Sequence, residues 1–271
     1  GQSVDATRLT GNDNTAVGKD AGLSLQGAAT LNTLVGSGAG GAITTGTHNS
    51  VFGVGGAIST GDENVCIGYN SSGGAVSTGN TNTSVGIATL FEITSGSNNT
   101  ALGSNAGRAA SPGGSITTGS NIITLGNNSV TTANIKVDWT VSSDQRDKTD
   151  FTALDIGLDF VKALKPVTYK WDQRSDYGDQ DADDWSLSDQ TPDGTHKKDW
   201  LDVGFKAQEV EALEQAAGYN KSNKTNLTVS LSPDGEQYGM KYSKFVPILV
   251  KALQELSAKN DALEARITTL E

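Results

Sequence analysis

The 271-residue chain has one cysteine, Cys66, two histidines, five prolines and few aromatic residues. A single cysteine excludes an internal disulfide framework and any Cys-rich zinc site. Positive charge is also scarce: 20 Lys and Arg stand against 31 Asp and Glu, a formal charge of −11. That balance argues against wrapping a nucleic-acid backbone, so no nucleic-acid partner is expected. No apolar run approaches the roughly 20 residues of a membrane span, and no membrane insertion is expected. The opening Gly1-Gln2-Ser3 has neither methionine nor a charged-then-apolar leader. It reads as part of a longer chain and not as a signal peptide.

Glycine, by contrast, is abundant and unevenly placed. Residues 1–140 hold 26 of the 33 glycines but only 11 charged residues, while 141–271 hold seven glycines and 40 charges. This shift predicts two domains, 1–141 and 142–271, the second with an acidic insertion over 172–200 and a C-terminal helix over 244–271. The first half is so rich in Gly, Ser, Thr and Asn that a monomer would struggle to bury a core, and disorder is the competing expectation.

Repetition decides against disorder. The unit Asn-x-x-φ-Gly, with φ a large apolar residue, recurs at Asn14–Gly18, Asn32–Gly36, Asn49–Gly53, Asn64–Gly68, Asn82–Gly86 and Asn99–Gly103, with an imperfect copy ending at Gly126. The φ positions are Val17, Val35, Phe52, Ile67, Val85, Leu102 and Leu125. A second unit, apolar-[Ser/Thr]-[Ser/Thr]-Gly, begins at Ile43, Ile58, Val76, Ile93 and Ile116. From the glycine of each second unit to the next φ-Gly glycine is always seven residues, whereas the return distances are 8, 11, 10 and 16. The constant arm predicts a fixed turn and strand in a stacked coil, and the variable arm a surface loop that accepts insertions. One inward φ per rung is too thin a core for one chain, and three chains around an axis would supply three per layer. The expected fold over residues 11–137 is therefore a β-rich repetitive trimeric stalk of stacked β coils, with a monomeric solenoid as the alternative. Cys66 is expected to be a packed thiol. These rungs resemble the coils of trimeric viral fibres and, more loosely, the head repeats of trimeric bacterial autotransporter adhesins.

The second half predicts an α+β domain. Lys136–Val141 reads as a strand, Leu154–Leu164 as a helix with apolar residues at Leu154, Leu158, Val161 and Leu164, and Val167–Trp171 as a strand. Val203–Val210 leads into a second helix, and Tyr238–Tyr242 is strand-like before a long final helix with Pro247 near its first turn. In that helix Leu249, Leu253, Leu256, Asn260, Leu263, Ile267 and Leu270 are spaced alternately by four and three. This is an a/d heptad seam with a polar Asn260, the pattern of a coiled coil. The alternative is an amphipathic helix packed on its own domain.

Four motifs carry a family resemblance: Ser143-Asp144-x-Arg146-x-Lys148, then Leu164-x-Pro166-Val167-x-Tyr169-x-Trp171, then Gly204-Phe205-x-Ala207-Gln208-Glu209-Val210, then Tyr242-Ser243-x-x-Val246-Pro247-x-Leu249-Val250-x-Ala252-Leu253. In order and spacing, residues 142–271 resemble the C-terminal intramolecular chaperone, auto-processing domain of phage tail fibres, tailspikes and endosialidases. The resemblance implies a homotrimerising chaperone that cuts itself off between Ser142 and Ser143. Ser143 would be the nucleophile, Lys148 the general base, and Asp144 and Arg146 supporting residues. The activity would be a single-turnover serine endopeptidase without cofactor. Expected partners are two further copies of the chain, upstream fibre or baseplate components and a host-surface receptor. The expected location is the virion tail, the freed chaperone remaining in the host cytoplasm. One departure is Asp147, where family members commonly carry an apolar residue. A carboxylate meeting Lys148 would favour its charged form, unless the two point apart as neighbours in a strand do.

The alternative function is a structural or adhesive trimer whose C-terminal domain stays attached as a cap. A polysaccharide-degrading spike has little support, because the stalk offers few acids (Asp13, Asp20, Asp62, Glu63, Glu92) and no aromatic groove. Asp179-x-Asp181-x-Asp183 imitates the start of a calcium loop, but the sixth position is Asp184 and the twelfth Gln190, so a solvated acidic insertion is the expectation. His48 and His196 lack companions at ligand spacing, and no metal is expected.

Overall fold

A computed structural model describes residues 9–74, 77–180, 182 and 184–270. Contacts divide the chain into two units. The first contains the repeats through Thr131 together with 172–197 and 231–237; the second contains 132–171, 198–230 and the C-terminal helix.

In the first unit each Asn-x-x-φ-Gly copy becomes one rung of a β-solenoid. The strands are β1 (Thr15–Val17), β2 (Thr33–Val35), β3 (Ser50–Val54), β4 (Val65–Tyr69), β5 (Thr83–Val85), β6 (Thr100–Leu102) and β7 (Ile123–Leu125), parallel and stacked in chain order. Their register aligns the motif from rung to rung, pairing Leu34 with Val51, Val51 with Cys66 and Cys66 with Ser84.

The conserved spacing follows from an asparagine ladder. The Asn49 Oδ1 accepts from the Asn64 backbone N and its Nδ2, both at 3.0 Å, while Asn49 Nδ2 donates to the Gly61 carbonyl at 2.8 Å. Asn32, Asn64, Asn82 and Asn99 repeat the pattern, bonding Gly46, Gly79, Gly96 and Gly119. The glycine carbonyl opening each rung is thus held by the asparagine one rung earlier, and the seven-residue arm cannot change without breaking that bond. At Gly53, φ is +138° and a Cβ would lie 2.1 Å from the Gly68 carbonyl oxygen, so only glycine lets the rungs close at this corner.

The inward residue is not φ. The coil interior is filled by the residue before it, Leu34, Val51, Cys66 and Ala101, and by Ile43, Ile58, Ile93 and Ile116 from the second unit. Val76 lies outside the described residues. The φ residues Val17, Phe52, Ile67, Leu102 and Leu125 face outward and are exposed. Alternation along the strand sends neighbours to opposite faces, and the column before φ, together with the isoleucines, fills the interior. Each coil therefore has a core of its own, and the φ column is an apolar stripe on its surface. Nor is the variable arm all surface, since Ala39, Leu90 and Ala106 turn inward from it.

In the second unit, Lys136–Val141 forms no strand; residues 129–153 are all exposed. Among the described residues no strand lies beside this apolar alternation to satisfy its backbone groups. Helix α1 spans only Leu158–Ala163, shorter than Leu154–Leu164, because its first turn is set by Glu255, whose Oε2 accepts from the Leu158 N at 2.8 Å. It ends before Pro166, with Leu164 already extended. Strand β8 (Val167–Tyr169) pairs antiparallel with β9 (Asp202–Gly204), helix α2 follows at Ala207–Ala216, and β10 (Val229–Leu231) pairs with β11 (Tyr238–Met240). Helix α3, Phe245–Leu270, runs 26 residues with Pro247 in its first turn. The core joins Ile156 and Phe160 to Val210, Val229, Phe245 and Ile248. Within α2, Glu214 is buried but satisfied, accepting from the Leu227 and Thr228 backbone N at 3.0 and 2.7 Å.

Helix α3 thus packs through Phe245, Ile248 and Ala252. The heptad leucines Leu249, Leu253, Leu256 and Leu263, with Ile267 and Leu270, are exposed on another face. No helix among the described residues is long and apolar enough to cross a membrane.

Candidate functional site

The exposed arm contains one ordered turn, and it holds the Ser-Asp-x-Arg-x-Lys motif. Gln145–Asp147 form a single 3₁₀ turn. Asp144 caps it, its Oδ1 accepting from the Arg146 backbone N at 2.9 Å, the N-cap role for which aspartate is suited. The Arg146 guanidinium folds back on the same carboxylate, with Nη2 to Oδ2 at 2.6 Å and Nε to Oδ1 at 3.1 Å. The guanidinium, and secondarily the backbone N–H, hold the Asp144 carboxyl below its ordinary range, and Asp144 in turn raises Arg146. Both are exposed to solvent, so the pair shapes the turn more than it adds to stability.

The turn brings together the two ends of the motif. Lys148 Nζ donates to Ser143 Oγ at 2.6 Å and to the Ser143 carbonyl at 3.2 Å. Five residues apart in sequence, they meet because the 3₁₀ turn reverses the chain, closed by Lys148 N to the Gln145 carbonyl at 3.2 Å. The strand geometry invoked for Asp147 does not occur here, since Asp147 ends the turn, and the Lys148 amine is directed at Ser143. Ser142, at the expected bond, is exposed.

Residues 143–219 match the family model described as chaperone of endosialidase. Over that span the chain matches an endosialidase-type chaperone domain. The match begins at Ser143, the residue whose hydroxyl meets Lys148, and a β-solenoid stalk precedes it. The searches of curated proteins and of solved structures each found no match.

Outside this chaperone motif the remaining candidates separate. His48 is exposed beside Thr47, and His196 packs edge-on against Tyr177 with centroids 4.6 Å apart. Asp181 and Asp183 of the calcium-like run lie outside the described residues. Among the described residues no group of three or more His, Cys, Asp or Glu is placed to hold a metal. Cys66 is buried in the solenoid; burial pushes its thiol up, against smaller opposing hydrogen bonds with Ser84 and Ser72. No pattern along the chain marked the exposure of the arm on both sides of the turn, because a strand forms only where folding brings a neighbour beside it.

Proposed function

We propose that the chain is a phage tail-fibre segment whose C-terminal domain brings three copies together and then severs itself between Ser142 and Ser143. The observation that carries the reading is the 2.6 Å contact between Lys148 Nζ and Ser143 Oγ, at the first residue of the chaperone match. Lys148 as the free amine takes the hydroxyl proton, and Ser143 Oγ attacks the Ser142 carbonyl carbon through a five-membered ring. Collapse breaks the peptide C–N bond and leaves an ester, with the new amine taking a proton; water then opens the ester. Lysine in water is protonated at neutral pH, so the amine needs an environment that disfavours its charge. The turn is exposed in the single chain. Burial of the arm between three chains would supply that environment and make cutting wait for assembly. The outward φ stripe and the heptad seam support three-fold association, because among the described residues both expose columns of large apolar side chains.

Intact-mass spectrometry of fresh and aged protein tests the reading. Wild type should yield two pieces meeting at Ser142 and Ser143, at a rate independent of concentration once trimers form. Ser143→Ala and Lys148→Ala should stay whole, while Ser142→Ala should still cut. A wild-type trimer that stays whole for days would leave the domain a retained cap.

A further inference from the structure

The arm that carries the scissile bond is not what attaches the downstream segments of the first unit to the solenoid. Asn128 Nδ2 donates to Ser175 Oγ at 3.0 Å, Ser115 N to Asp234 Oδ2 at 2.8 Å, and Gln237 Nε2 to the Ala109 carbonyl at 2.7 Å. Each bond joins a residue before Ser142 to one after Ser143. The two downstream segments are also tied to each other, since Arg174 Nη2 donates to the Glu236 carbonyl at 2.6 Å. All four bonds are at least partly buried, where water competes poorly for them. The arm over 129–153, by contrast, is exposed throughout. A cut there removes one covalent path and none of these bonds.

We propose that these contacts form a clasp that outlasts the cut. After the bond between Ser142 and Ser143 is severed, the C-terminal piece remains seated on the final rungs of the solenoid through 172–180 and 231–237. Release is then a second step, with its own rate. Self-cleavage, proposed above, provides the occasion for this step. In an assembly of three chains the three clasps act together and slow release further.

The test makes the cut independently of Ser143. The full-length chain carrying Ser143→Ala, with a site-specific protease sequence inserted after Asp138, is cut and passed over a size-exclusion column. The two pieces should co-elute. Asn128→Leu removes the donor without offering the Ser175 hydroxyl a new acceptor, and Gln237→Glu turns only acceptors toward the Ala109 carbonyl. In the cut chain they should speed dissociation by roughly five- to tenfold per lost bond. Immediate separation of the pieces of the cut Ser143→Ala chain would overturn the clasp, and that measurement needs no clasp substitution to fold. Dissociation of the doubly substituted chain at the unsubstituted rate would overturn it too. Self-cleavage is read separately on the chain that keeps Ser143, so its failure is distinguishable from failure of the clasp.

Discussion

Val51 and Phe52 are neighbours in one strand, yet Val51 is 3% exposed inside the solenoid and Phe52 is 41% exposed on its outer face. The same division recurs at Cys66 and Ile67 and at Ala101 and Leu102, and it separates what holds one chain together from what is available to join chains. Leu34→Ala should therefore weaken the coil itself by about 2–5 kcal/mol. Phe52→Ser with Ile67→Ser should leave the coil folded and lower the trimer fraction. Circular dichroism melts and sedimentation separate the two effects. Loss of coil structure from the outer pair would reverse the assignment of faces.

The asparagine ladder makes a graded prediction. Asn64→Ala leaves the Asn82 backbone N and Nδ2 without their buried acceptor and the Gly79 carbonyl without its donor. The expected cost is about 3 kcal/mol. Asn80→Ala loses an exposed bond from the Asp62 N at 2.8 Å and should cost under about 1 kcal/mol. Equal melting shifts for the two would show that the ladder does not hold the rungs.

The two faces of α3 can be tested apart. Ile248→Ala strikes the packed face and should destabilise the second unit by about 2–5 kcal/mol. Leu256→Ser with Leu263→Ser strikes the exposed seam and should lower trimer yield while the near-ultraviolet signature of the domain survives. A normal trimer from that double variant, by sedimentation, would reduce the heptad to a surface pattern.

The Ser143 turn should respond to pH at both ends. The Asp144 carboxyl is depressed in the folded turn by Arg146. Its contribution is complete above the ordinary aspartate value near ~3.9 and is lost as pH falls through the lower folded value. An NMR titration of Asp144 should show a midpoint below the ordinary value, moving back up in Arg146→Ala; an ordinary midpoint in wild type would mean that the fork is not formed in solution. Within the range where the turn holds, cleavage should slow as pH falls, because protonated Lys148 cannot act as base.

The positions of the rungs and, in the second unit, α1, β8, α2, β11 and α3 were legible in the sequence, because they depend on spacing along the covalent chain; Ser143 and Lys148 were named together only through the family resemblance. A seven-residue glycine interval and a helical period keep their meaning wherever the segment sits. The tertiary structure alone decided which side of each strand faces inward. Both Val51 and Phe52 are apolar, and strands of three or five residues alternate too briefly to reveal their parity. It also decided that Lys136–Val141 stays unpaired, because a strand needs a neighbour as well as a pattern, and that α1 begins only at Leu158, where a carboxylate 97 residues away caps it. The bonds from Asn128, Ser115 and Gln237 had no trace in the sequence, since they join segments distant along the chain whose meeting only folding specifies.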